Sequence, residues 1–479
     1  TLSSSSAASD VYKRQPYKSV PSLASLYRDI SKLDDNYWKA IKLKEVSGLI
    51  QSCLALRLQF NIFKETGVVK TSLPTQLLIL NPSPIEIKLE KIDGAINLEI
   101  SKKLVQNQPW ESRQNYQIPN EISTPYWLLT DGDLGNYYVQ DESLKGLAET
   151  PNPIKVRFHV IINNTHIPIQ VPLKYKTTDR VAGEVLQNFQ ILPKATIQLK
   201  DKVILFQKDK VKKVSLQVRA HIQNFKGFVT LKVPKNWDFF PKKQDVKIDR
   251  AGAVKEFIFN VTPPKGSDTG IFSGLVSDGI QDYNMTLEEI EYPHISKQYM
   301  LSPNKTIASK IDLKSKVSKV AYLKGAGDKV AESLRNIGIT VTEFEIEELR
   351  LESLLNYPAL IIGIRAFNVH KELAFKNQIL WDYANQGGTV IIQYNTSRGF
   401  DSSIMSPYLI KLSRDRVTDE NADVIFLKKD HPLLNEPNKI TEEDFKGWVQ
   451  ERGLYLSLIH ISEPTRLRRI SYAVVCLKK

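Results

Sequence analysis

The chain has 479 residues, a formal net charge of +13, two cysteines and no apolar run near the ~20 residues that a membrane helix needs. Residues 1–15 carry net +1 and residues 457–479 net +4, so the body between them carries +8. Its lysines are spread along strands and loops without an Arg/Lys block, which weighs against a nucleic-acid partner. Cys476 lies in the last segment and leaves Cys53 alone, so no intramolecular disulfide frames the body. A body of this length exceeds one core and predicts roughly three domains of ~150 residues.

In chain order, the opening TLSSSSAASDVYKRQ and the closing SLIHISEPTRLRRISYAVVCLKK show no helix or strand period and resemble translated sequencing-adapter DNA. Residues 1–15 and 457–479 are therefore expected to be non-native, unpacked extensions. Both true ends are expected to be missing, so a signal peptide cannot be sought. Residues 16–64 read as helical, with Leu23, Leu26, Ile30 and Leu33 at helical spacing and a second run through Ile41, Val46, Leu49, Ile50 and Leu54, capped by Asp34 or Asp35. Two helices are too few for an independent core.

From Gly67 the period becomes two. LPTQLLIL, IEIKLEKID, INLEI, YYV, IKVRFHVIIN and IPIQVPLKYK predict an antiparallel β-sandwich over 65–186, and ATIQL, KVILF, KKVSLQVRAHI, GFVTLKV, VKEFIFNVTPP and GIFSGLVSDG a second over 187–303. Residues 304–456 then alternate strands and helices: VSKVAYL, KVAESLRNIG, ITVTEFEI, ALIIGI, Lys371–Gln386 and TVIIQY. That alternation predicts a doubly wound α/β sheet resembling class I amidotransferases and cut short by the last segment, with an open edge where further strands would pair.

Candidate chemistry is sparse. Gly325-Ala326-Gly327 sits between a strand and a helix, where backbone N–H groups hold phosphates, but Asp328, Lys329 and Val330 follow and no third glycine completes the dinucleotide fingerprint. A tight turn is the preferred reading. Amidotransferase chemistry needs a cysteine on a sharp turn after a central strand, yet TVIIQY runs into Tyr394 and Asn395. His159, His166, His221, His294, His370 and His431 form no HxH, HxxxH or HExxH pair, so local spacing supports no zinc site. His159 reads as a packed or solvated strand residue, His431-Pro432 as a loop entering a helix, and Asp131-Gly132-Asp133 as a turn. The aromatics Trp110, Tyr116, Tyr126, Trp127, Tyr137 and Tyr138 cluster in the first sandwich as a candidate glycan-binding surface, weighed against core packing, the favoured alternative. Trp237, Phe239 and Phe240 are assigned to the second core.

Longer strings carry a family resemblance. PYWL (125–128), GNYYVQDESLKGLAETPNP (135–153), VPLKYKTTDRVAGE (171–184), YLKGAGDKVAESLRNIG (322–338) and residues 411–455 resemble the region following the catalytic domain of large Bacteroidetes-type PIG-L (LmbE-like) deacetylases. The resemblance implies a zinc-dependent parent that hydrolyses N-acetyl groups on N-acetylglucosaminyl glycans, with a periplasmic or extracellular location. The AHPDD-type string that holds the family's zinc has no counterpart here, so no catalytic or metal-binding residue is carried over. The resemblance implies a non-catalytic portion without a cofactor of its own, with residues 16–64 as the remnant of the catalytic domain. Its partners would be a glycan and the missing N-terminal catalytic domain. The alternative is a non-enzymatic structural or interaction module of the cell envelope.

Overall fold

The computed structural model describes residues 15–130, 132, 136–207, 209–292, 294–295, 297–396, 402–407, 410–412, 422–446, 457–459 and 475–477. The described chain is predominantly strand, arranged in several sheets.

Two helices, Val20–Ser31 and Asn36–Cys53, open it. Pro21 suits the first turn, where its missing N–H has no intrahelical acceptor, and Asp35 rather than Asp34 caps the second helix by accepting the Trp38 N–H at 3.0 Å. Val20, Tyr27, Val46 and Ile50 enter the same core as Phe60, Leu77 and Ile79 of the sheet beside them. The expected helical block therefore has no core of its own. Its last residues, Arg57–Ile62, form a strand that pairs antiparallel with Ser72–Leu80 and parallel with Thr165–Asp179, which corrects the purely helical reading of 16–64.

The first sheet runs in the order Leu98–Lys103, Ile87–Gly94, Lys155–Ile162, Thr165–Asp179, Arg57–Ile62, Ser72–Leu80 and Trp110–Gln117, with Gly183–Asn188 also on Thr165–Asp179. That 15-residue strand pairs with Lys155–Ile162 through its first half and with Gly183–Asn188 through its second, so it links the two halves of the sheet. Alternation sends Val156, Phe158, Val160 and Ile162 into the core, while residues 155, 157, 159 and 161 face outward. YYV, expected as a strand, is not one, and the polar strand Trp110–Gln117 was not anticipated.

The second β unit has a four-stranded sheet (Ala195–Leu199, Lys212–Ala220, Val254–Thr262, Asp238–Phe240) and a six-stranded one. Both contribute to one core containing Ile197, Leu216, Val229, Phe259 and Phe272. Trp237 is buried, donates its Nε1–H to Asp268 at 2.8 Å and meets Phe206 and Phe272 edge to face. Phe239 is partly buried there, but Phe240 is 71% exposed, which corrects its assignment to the core. Thr306–Ile311 pairs with Val203–Gln207 and Asp268–Ser277 and so belongs to this unit, past the expected boundary at 303.

The last sheet runs Thr340–Phe344, Lys319–Leu323, Ala359–Ile362, Thr389–Ile392 and Val475–Leu477, the first four parallel. Helix Val330–Asn336 contributes Ala331 to the core on one face, and helix Leu373–Asn385 contributes Leu380 and Tyr383 to the core on the other. Two short strands of the final segment are paired, Ser457–Ile459 with Ile410–Leu412 and Val475–Leu477 with Thr389–Ile392. The edge expected to be open beside TVIIQY is thus covered, because its free N–H and C=O groups accept a strand.

Candidate functional site

The first two β units meet at a short parallel pairing. Gln190–Leu192 runs beside Thr66–Val68, and Ser123 holds its other side, accepting the Ile191 N–H at Oγ (2.8 Å) and donating its own N–H to the Ile191 carbonyl (3.0 Å). Phe189, 3% exposed, fits over Gly67, where a Cβ would strike its ring. Across the joint, the Lys297 side chain is 19% exposed, with Nζ 3.0 Å from Glu289, 3.6 Å from Glu65 and 3.9 Å from Glu291, and it lies 5.0 Å from the Tyr299 ring centroid. Burial pulls the Lys297 ammonium down, but hydrogen bonds to Tyr299 and Glu289 and the charge of Glu65 outweigh it, so it stays above the ordinary lysine range. Burial and the nearby Glu65 push the Tyr299 phenol up to about 12, although Lys297 opposes them.

Beside this joint lies a cleft of about 200 Å3, lined by Glu121, Thr124, Glu149, Asn188, Phe189 and Tyr299 among others. Among the described residues lining it there is no Lys or Arg. Asn188 donates to Glu149 and accepts from Lys174 Nζ at 2.5 Å, and Asn152 is fixed by Ile154 N–H and the Leu173 carbonyl. The cleft offers two carboxylates and amide and hydroxyl groups over an apolar floor, a set suited to hydroxyl donors or a small cation. None of these residues was singled out from sequence. Ligand sites favour domain junctions, and the expected boundary at 186/187 falls beside Asn188 and Phe189.

The six candidate aromatics occupy three different places. Trp110 and Tyr116 are six residues apart on one strand, roughly 20 Å, and both pack partly buried against the core, Tyr116 edge to face with Phe60. Tyr126 is buried, donates its hydroxyl to the Leu147 carbonyl at 2.9 Å and meets Trp127 ring to ring at 4.9 Å. Tyr137 and Tyr138 are 64% and 50% exposed.

At the C-terminal ends of the parallel strands, the loops after Leu323 and Ile362 are fastened together. The Ala326 N–H donates to the Ile364 carbonyl and the Gly363 N–H to that of Leu323, both at 2.8 Å. Glycine is required at 325, where a Cβ would meet the Ile364 carbonyl. Asp328 accepts from the Tyr322 hydroxyl (2.5 Å), Val330 N–H (2.9 Å) and Ile364 N–H (3.1 Å). Burial first, then Asp328, raises the Tyr322 phenol well above its usual range. Asp328 and the Ala326 N–H are committed to closing this crevice, which supports the tight-turn reading of Gly325-Ala326-Gly327. The sharp strand-to-helix turn sits after Ile362 rather than after TVIIQY. Its left-handed residue is Arg365 (φ 56, ψ 22), whose N–H donates to the Tyr394 carbonyl at 2.6 Å, while buried Asn395 accepts the Phe367 N–H at 3.1 Å. Tyr394 and Asn395 brace that turn, and it presents a guanidinium in place of a thiol.

His431 caps the helix Pro432–Asn435 by accepting the Leu433 N–H at 3.2 Å, as a loop residue entering a helix should. Asp131 and Asp133 lie outside the described residues. His221 contacts Thr196 Oγ1 at 3.0 Å, and burial beside Arg219 lowers its pKa to about 4. Among the described residues no three His, Cys, Asp or Glu side chains are grouped to hold a metal ion.

No protein-family model and no curated protein matches the chain. Solved structures similar to it include an alpha-2-macroglobulin of Salmonella reacted with methylamine, at 9% identity over 53% of this chain and 16% of that chain with TM-score 0.19. A protein of unknown function from Porphyromonas gingivalis W83 is similar at 8% identity over 53% of this chain and 98% of that one, TM-score 0.16. Trypsin-activated alpha-2-macroglobulin of Escherichia coli is similar at 8% identity over 73% of this chain and 28% of that chain, TM-score 0.20. The match spans about a sixth of the first of these.

Two predictions follow from these contacts. Tyr322→Phe should destabilise the parallel-sheet region by about 1–3 kcal/mol, the cost of leaving Asp328 without its hydroxyl donor. Urea unfolding checks this, and a change within ~0.3 kcal/mol contradicts the fastening. His221 is neutral in the fold but takes a proton near pH 6.5 when unfolded, so its stabilisation is complete above that pH and is lost as pH falls towards about 4. Up to about 3 kcal/mol should disappear over that window. His221→Gln should flatten the pH profile of the melting temperature, and an unchanged profile contradicts the assignment.

Proposed function

We propose that this chain is a non-catalytic accessory region of a PIG-L/LmbE-like, zinc-dependent deacetylase acting on N-acetylglucosaminyl glycans, with scaffold and glycan-presenting roles. The observation that carries the proposal is the cleft between the first two β units, where Glu121, Glu149, Thr124 and Asn188 gather hydroxyl- and amine-recognising groups without a cationic side chain among the described lining residues. A parent that removes N-acetyl groups leaves free amines on its glycan, and two carboxylates suit such a product. The parallel sheet is read as an amidotransferase-like α/β domain whose elbow, at Arg365, lacks a nucleophile. A guanidinium has no lone pair to attack an amide, and the crevice beside it is filled by Gly325 and Gly363.

A second reading, a structural or interaction module of the cell envelope, draws support from the packing of Trp110, Tyr116 and Tyr126 into the protein. Calorimetric titration of the whole chain with chitotriose and with its deacetylated counterpart separates the two. The accessory reading expects saturable binding that favours the deacetylated oligomer and weakens at least ~10-fold in Glu149→Gln, the loss of one charge-assisted contact. It also expects no acetate release. No binding to either oligomer would leave the structural module, and chelator-sensitive acetate release would overturn both.

A further inference from the structure

On the outward face of the first sheet two histidines meet. His159 is 6% exposed, and its Nε2 lies 2.8 Å from Asp93 Oδ2 while its Nδ1 lies 2.9 Å from His166 Nε2. A carboxylate only accepts, so Nε2 of His159 carries the proton and Nδ1 keeps a lone pair aimed at His166. This is the arrangement by which a carboxylate orients a metal-binding imidazole and raises its basicity. His166 has a half-exposed side chain, free to adjust, and Glu90 Oε2 stands 3.7 Å from its Nε2. Glu90 is the extra residue of a β-bulge between Leu89 and Lys91, and a bulge re-aims the side chain it carries. The cations nearest the pair on these strands are Arg157, with Nε 3.6 Å from Asp93 Oδ1, Lys91, paired in register with His159, and Lys88, paired with Ile161, the register partner of His166.

We propose that His159 and His166 form a cross-strand chelate for a late divalent transition ion such as Ni2+, Cu2+ or Zn2+, with Asp93 as positioning residue. Metal–nitrogen bonds of ~2.0–2.1 Å at angles of ~90–110° need the nitrogens about 2.9–3.4 Å apart, which the pair meets with little movement. On binding, the proton between the rings moves from Nε2 to Nδ1 of His166 by way of solvent, so both facing nitrogens present lone pairs and no net proton is lost. Two imidazoles are the protein ligands, water completes the shell, and Glu90 accepts a hydrogen bond from that water. The ion would clamp the strand Lys155–Ile162 to Thr165–Asp179.

The test titrates NiCl2 and ZnCl2 into the EDTA-stripped full chain, read by calorimetry and by thermal melting. The expected result is one saturable site and a rise of a few degrees in melting temperature that grows with metal concentration. His166→Ala should abolish both effects. Asp93→Asn, which retains both ligands, should weaken binding ~10–100-fold, covering the case in which the alanine variant fails to fold. Absence of a saturable site, or binding that persists unchanged in both variants because another of the chain's seven histidines supplies it, overturns the proposal.

Discussion

The arrangement of the first two β units depends on one largely buried cation. Lys297 sits among Glu65, Glu289 and Glu291 and over the Tyr299 ring, and Arg219 adds a second positive charge on Glu289 at 2.5 Å. Glu289 is held below the usual carboxylate range chiefly by its hydrogen bond to Lys297. Exposed ion pairs contribute little, but a shielded ammonium with several acceptors is different, because removing it leaves Glu65 two-thirds buried without its cation and Glu289 with Arg219 alone. Glu65 directly precedes the Thr66–Val68 strand and Lys297 directly precedes the strand Gln298–Pro303, so the charge cluster fixes how the two units meet. The cleft borrows Gln298 and Tyr299 from one side and Glu121 and Glu149 from the other, and it takes its shape from that joint.

Much of the strand content was legible because the period was strong. KVRFHVII alternates cleanly, and the Asn163-Asn164 turn, with φ of 47 and 57, closes the hairpin that pairs Ile162 with Thr165. That same register places His159 and His166 on one face, diagonal to each other, so the pair could have been read by counting outward from the turn. Spacing rules for local metal motifs miss it because they count along one element, whereas His159 and His166 stand on two paired strands. Trp110–Gln117 escaped notice for another reason: its inward positions are Trp110, Ser112, Gln114 and Tyr116, only two of them apolar. Arg57–Ile62 was absorbed into the helices because six residues show too little period to outweigh the apolar run before them.

Sites built from distant segments were not legible. Glu65, Glu149, Asn188 and Lys297 carry no motif, and only the fold brings them to one junction. The elbow illustrates a subtler failure. Amidotransferase chemistry expects a sharp turn after a central strand, and the sequence puts that turn after TVIIQY, where Tyr394 and Asn395 stand. The structure puts the strained residue one strand earlier, at Arg365, since Gly363 and Gly325 permit the close approach of two loops that Tyr394 and Asn395 then brace.

A double-mutant cycle between Glu65 and Lys297, using Glu65→Gln and Lys297→Met and reading unfolding of the first two β units, tests the joint most directly. The account predicts non-additive losses, with a coupling of at least about 1 kcal/mol, and a single cooperative transition for both units in the unmodified chain. Additive effects within ~0.3 kcal/mol, or two separate transitions unaffected by Lys297→Met, would show that the units associate without this cation and that the cleft does not depend on it.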